Sequence, residues 1–85
     1  MKDIIRLFDI VALTVDLPKQ GLRRGQVGTV VEFLAHGNAF EVEFSDNKGH
    51  VYQSLGLRPE QFTVLYYNPL PMREFIPSGI EALAA

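Results

Sequence analysis

Two histidines, His36 and His50, and three closely spaced carboxylates, Glu41, Glu43 and Asp46, are the first residues to test for chemistry. A metal site would need further ligands at suitable spacing. The chain has no His-x₃-His or His-Glu-x-x-His pattern, and its lack of cysteine removes thiolate ligands and a cysteine nucleophile together. Glu41 and Glu43 stand two residues apart, about 7 Å along an extended strand. Glycosidase carboxylates are separated by roughly 5–9.5 Å, so distance alone admits them. Phe40, Val42 and Phe44 alternate with these glutamates, however, which is the pattern of a solvated face over a core. None of the serines (Ser45, Ser54, Ser78) lies in a Gly-x-Ser-x-Gly elbow, and neither a phosphate-binding loop nor a dinucleotide-binding glycine pattern occurs. No nucleophile, base and orienting group come together, so the expectation is a non-enzyme with no cofactor and no metal site.

Charge and aromatic residues suggest binding instead. Lys19, Arg23 and Arg24 cluster in one segment, whereas Glu32, Glu41, Glu43 and Asp46 gather further on, giving an electrically two-sided molecule. Such charges also serve simply to keep a small domain soluble. Tyr52, Tyr66 and Tyr67 are amphipathic and suit an interface. Met72, Phe75, Ile76, Ile80 and Leu83 form an apolar set near the C-terminal end that needs a surface to cover it. There is no tryptophan to anchor a proline-rich peptide.

The elements that must position these residues are short strands. Leu7 to Thr14 is rich in β-branched residues and about the length of a strand. A long loop from Val15 to Gly25 follows, broken by Pro18, Gly21 and Gly25. Gln26 to Leu34 forms a second strand, whose internal Gly28 signals a bulge, a bend or a close backbone approach and leaves its inward face undetermined. After a turn at 35–38, Ala39 to Phe44 alternates strictly and is the plainest strand of the chain. A polar loop, Ser45 to Gly49, leads to a partner strand from His50 to Leu57 with Val51, Gln53 and Leu55 on one face. Arg58 to Gln61 suits a single 3₁₀ turn because Pro59 fixes φ early. Phe62 to Tyr67 is the last strand. Phe8, Phe33, Phe40 and Phe44 are expected in the core.

This order describes an all-β, five-stranded SH3-like barrel with a 3₁₀ turn before the last strand. The barrel is expected over residues 1–67, and a distinct tail over 68–85. Pro69 and Pro71 favour extended backbone there, while Ser78 with Glu81 would cap a short helix. With 85 residues, 47% apolar and 21% charged, the chain is expected to be one globular domain. No apolar run nears the roughly 18 residues of a membrane helix, and the start lacks a signal peptide's apolar stretch. A cytoplasmic location is therefore expected. The net charge of -2 and a pI near 5.5 argue against non-specific binding to phosphate backbones.

The body resembles a small bacterial family of unknown function. The residues that carry the likeness are Leu7-Phe8-Asp9 with Val11-Ala12-Leu13, Leu17-Pro18, Gly21-Leu22 and Arg24 to Glu32, then Phe40 to Phe44 and Leu57 to Gln61. The resemblance implies a fold and a role as a small partner of other proteins, antitoxin-like or an accessory subunit. Arg24-Gly25-Gln26-Val27-Gly28-Thr29-Val30 is also similar to the glycine-valine segment of KOW domains, which occur in ribosomal and transcription factors.

Two functions follow as expectations. The first is a protein-interaction module that binds a protein partner or itself through Tyr52, Tyr66, Tyr67 and the apolar tail residues. The second is an RNA- or ribosome-associated accessory protein using Lys19, Arg23 and Arg24, against which the acidic pI and the lack of a basic aromatic stripe weigh.

Overall fold

A computed structural model describes residues 4–69 of the chain. It is all-β. Strands β1 (Ile10–Leu13), β2 (Val27–Leu34), β3 (Ala39–Ser45), β4 (Val51–Leu57) and β5 (Phe62–Val64) form one antiparallel sheet. Their order is β4-β3-β2-β1-β5. Hairpins join β1 to β4 in sequence, while β5 returns to pair with β1, so the sheet curls into a barrel-like body with β4 and β5 at its two ends. The 3₁₀ turn before the last strand spans Pro59–Gln61. Two more such turns occur at Pro18–Gln20 and Ala35–Gly37.

The core follows from period-two alternation. Phe40, Val42 and Phe44 of β3 are all buried, and Val11, Leu13, Val30, Leu57, Phe62 and Val64 meet them from the other strands. Leu22 joins from the first loop, 1% exposed. That loop is pinched shut where Leu17 and Leu22 exchange backbone hydrogen bonds of 2.9 and 3.1 Å. The close approach expected of Gly28 is real. A Cβ there would sit 2.7 Å from Val42 Cγ1 and 2.8 Å from the carbonyl oxygen of Glu43.

Two bulges settle which residues face inward. In β2 the register steps from Val30 opposite Val42 to Glu32 opposite Glu41, leaving Val31 as an extra residue. Glu32 therefore joins Glu41 on the outer face, and Phe33 joins Phe40. In β4 the step from Gln53 opposite Phe44 to Val51 opposite Ser45 leaves Tyr52 unpaired. Val51 thus moves to the outer face, 52% exposed, away from Gln53 and Leu55. This corrects the expectation that the three share one face.

Other differences concern strand ends and aromatics. The first strand begins at Ile10, because Arg6 to Asp9 forms a turn in which the Asp9 carboxylate accepts from the Arg6 amide at 2.8 Å. Phe8 adopts φ 70° there and is 71% exposed, not buried. Phe33 is only half-buried, since it lies at the end of β2 beyond the closed part of the core. β5 stops at Val64 rather than Tyr67. Met72, Phe75, Ile76, Ile80, Leu83 and the Ser78 cap lie outside the described residues.

The β3–β4 loop carries an electrostatic device. Asp46 Oδ1 accepts from the amides of Lys48 at 2.8 Å and His50 at 2.9 Å. These bonds, that of His50 first, hold the Asp46 carboxyl below its ordinary pKa. The folded loop therefore binds a proton more weakly than the unfolded chain. Its contribution to stability is present above the unfolded pKa and is lost as pH falls through the lowered one. A carbon-13 titration of the Asp46 carboxyl should show an inflection below that of an aspartate in an unstructured peptide. Coincident inflections would refute the arrangement. Asp46→Asn, which keeps an acceptor, should remove this part of the pH dependence.

Candidate functional site

Two surfaces bring candidate residues together. The first is an open apolar depression of about 780 Å³ between the β2–β3 turn, the Pro59–Gln61 turn and β5. Its floor is a ladder of rings. Phe33 meets Phe40 edge-on with centroids 5.7 Å apart, and Phe40 meets Phe62 in the same way at 5.9 Å. Ile5 and Pro59 add apolar walls, and Arg58 and Glu60 stand at the rim, joined by an exposed ion pair of 3.5 Å. The Arg58 turn is held by its amide donating to Gln61 Oε1 at 2.8 Å and by Thr14 Oγ1 donating to the Glu60 carbonyl at 3.2 Å. The wall is therefore fixed in shape.

One side of the depression is a strand edge. Among the described residues, β5 ends the sheet and pairs only with β1. The Leu65 amide donates to the Ile10 carbonyl, and the Thr14 amide to that of Gln61. By the alternation of an antiparallel ladder, residues 61, 63 and 65 pair towards β1, while Phe62 and Val64 turn the other way, the Phe62 amide donating to the Pro59 carbonyl. An aromatic floor beside such an edge can take an extended segment, the edge supplying main-chain hydrogen bonds and the floor a place for apolar side chains.

The second surface is the basic loop. Lys19, Arg23 and Arg24 are all exposed. The loop is anchored to β4, since Gln26 Nε2 donates to the Tyr52 hydroxyl at 3.0 Å and Gln53 Nε2 to the Gln20 carbonyl at 2.9 Å. Its own shape depends on Arg24's amide donating to Asp16 Oδ1 at 2.8 Å and Arg23's to Gln26 Oε1 at 2.5 Å. Among the described residues, the side chains of Lys19, Arg23 and Arg24 form no ion pair.

The structure thus regroups the residues singled out from sequence. Tyr52 belongs with the basic loop through Gln26, not with Tyr66 and Tyr67, which follow β5 and are 49% and 87% exposed. Glu41 accepts a 2.6 Å hydrogen bond from the Ser54 hydroxyl on the outer face. His50 Nδ1 lies 3.4 Å from Asp46 in an exposed loop. Among the described residues, no group of three or more histidines and carboxylates could hold a metal ion, and no helix is long and apolar enough to cross a membrane.

Phe33, Phe62, Arg58 and Ile5 were not singled out as site residues. The missing signal was the register. With Val31 bulged, Phe33 shares the face of Phe40 yet overhangs the end of the barrel, and alternation alone cannot reveal an overhang.

No curated protein and no solved structure matches the chain significantly. A family model does match over residues 7–64, from the turn before β1 to the last residue of β5. That interval holds every strand of the described residues and about two-thirds of the sequence, and the chain belongs to the family described as Domain of unknown function (DUF4926).

Proposed function

We propose that this protein is a non-catalytic protein-interaction module, with the aromatic depression beside β5 as its docking surface. The observation that carries the reading is the half-exposed Phe33, whose ring meets Phe40 edge-on in a depression also lined by β5, an edge strand among the described residues. The partner presents an extended segment with at least one large apolar side chain. Tyr66 and Tyr67 continue from β5 and extend the same contact. The strand order supports placing the domain in the SH3-like class. Its small size and the likeness to a bacterial family suit a cytoplasmic accessory subunit or an antitoxin-like partner.

Phe33→Asp tests the reading. A buried aromatic anchor is worth about 2 kcal/mol or more in binding, or roughly thirtyfold in affinity. Tagged wild-type protein should retain a partner from lysate of the source organism, with or without nuclease, and the variant should lose it while unfolding at a similar urea concentration. Equal retention by a folded variant would overturn the depression as the docking surface.

A second reading rests on Lys19, Arg23 and Arg24, whose side chains form no ion pair among the described residues, around a loop that is fastened to Tyr52. In it the loop meets RNA phosphates and the exposed tyrosine offers a stacking face. Arg23→Glu with Arg24→Glu should then abolish RNA retention and flatten its salt dependence. Retention that ignores both charges would remove this reading.

A further inference from the structure

We infer that the docking surface beside β5 takes a second copy of this chain, the two β5 strands pairing antiparallel about a dyad at Val64. The inference rests on the docking reading above and names its partner. Among the described residues the sheet has two edges, β4 and β5. The β4 edge is guarded. A bulge at Tyr52 interrupts its ladder, and the Ser54 amide donates to Gln53 Oε1 at 3.0 Å. Gln53 Nε2 in turn donates to the Gln20 carbonyl at 2.9 Å, which holds the first loop alongside.

β5 carries none of the residues that usually guard an edge. From Phe62 to Tyr67 the chain has no charged residue and no proline. Its hydrogen-bonding groups also match a copy of themselves. Thr63 pairs with β1, and the Phe62 amide is engaged by Pro59, so Phe62 offers only a carbonyl outward. Val64 turns both its amide and its carbonyl away from β1. Two such residues set opposite each other exchange both bonds, as a hydrogen-bonded pair of an antiparallel ladder does. The two bonds are equivalent under a dyad, the commonest symmetry of protein oligomers.

This register fixes the neighbours. Thr63 falls opposite Leu65 of the other copy on the outer face, where both are exposed and uncharged. On the inner face, the alternation brings Tyr66 of the other copy opposite Phe62, a ring of the depression's floor. The other copy thus supplies the extended segment and the large side chain that the docking surface takes.

Sedimentation velocity of the full chain tests the pairing. At roughly 0.1–1 mM the protein should form a dimer that dissociates on dilution. A monomer throughout, or growth beyond a dimer, would overturn the inference, because a dyad closes the assembly at two copies. Two charge variants test the register, Thr63→Lys with Leu65→Lys and Thr63→Glu with Leu65→Glu. Each sets like charges directly opposite one another and should raise the dimer dissociation constant at least about tenfold. An equimolar mixture of the two sets lysines opposite glutamates and should return the constant to the natural value or below. Both positions are exposed, and urea midpoints check that the variants fold. Equal constants for the natural chain, each variant and the mixture would overturn the inference.

Cysteine gives an independent readout, since the natural chain has none. Chains carrying Thr63→Cys and chains carrying Leu65→Cys are mixed in a glutathione redox buffer. The disulfide between unlike chains should exceed either disulfide between like chains at least about fivefold. A purely statistical mixture would overturn the inference. A monomeric chain would leave the docking surface to a different protein, whereas undiminished retention by folded Phe33→Asp would remove the docking surface itself.

Discussion

Phe44→Ala is expected to lower the free energy of unfolding by about 3–5 kcal/mol, the cost of deleting a fully enclosed ring and leaving part of its volume empty. Phe44 is 0% exposed near the end of β3, opposite Gly28 on one side and Gln53 on the other. A chain of this length has a total stability of roughly 4–13 kcal/mol at 0.05–0.15 kcal/mol per residue. The substitution therefore removes much or all of it. Urea unfolding followed by circular dichroism measures the loss. A decrease under about 1 kcal/mol would mean that the site collapses around the smaller side chain, contrary to the close packing of a protein interior.

Gly28→Ala should cost about 3 kcal/mol, at the upper end of the range for overpacking a core. The added methyl would stand 2.8 Å from a backbone oxygen, that of Glu43, as well as 2.7 Å from Val42 Cγ1. A side chain can rotate away, but a carbonyl held in the β2–β3 ladder moves only if the strands separate. Gly56→Ala is the matched control. Its methyl meets the ends of two side chains, Leu34 Cδ1 at 3.1 Å and Glu41 Oε1 at 4.0 Å, and the change should stay within about 1 kcal/mol, since flexible side chains can give way. The two urea midpoints decide the matter. Equal losses would refute the backbone argument. Because Val30 and Phe33 lie on the same strand as Gly28, separation of β2 from β3 should also disturb the Phe33–Phe40 contact.

Much of the architecture was legible without coordinates where local pattern and tertiary demand agree. Ala39 to Phe44 alternates strictly, and β3 became an interior strand, between β4 and β2, with Phe40, Val42 and Phe44 buried. Pro59 before Phe62 marked the 3₁₀ turn, because a fixed φ and a missing amide act locally whatever surrounds them. The first strand was read too long for an equally local reason that pattern missed. Its hydrophobic residues run on from Leu7, but the Asp9 side chain captures the Arg6 amide and turns the chain before the sheet begins.

The candidate site was less legible. Lys19, Arg23 and Arg24 stood out because they are close in sequence, and they remain together. Tyr52 was grouped with Tyr66 and Tyr67 by residue type, yet a bulge and a hydrogen bond across 26 positions attach it to the basic loop. Phe33 was assigned to the core by its hydrophobicity.

The sequence by itself determined an all-β domain, the number and order of its strands, and the apolar face of β3, since these depend on side-chain period and on the backbone preferences of proline and glycine. Only the tertiary structure decided which side chains line the depression beside β5. Two single-residue bulges, at Val31 and Tyr52, set which side chains face inward beyond them, and where the strands end left Phe33 overhanging beside β5, an edge strand among the described residues. Bulges and overhangs arise from how strands are paired across the sheet, and pairing is a property of residues far apart in the chain.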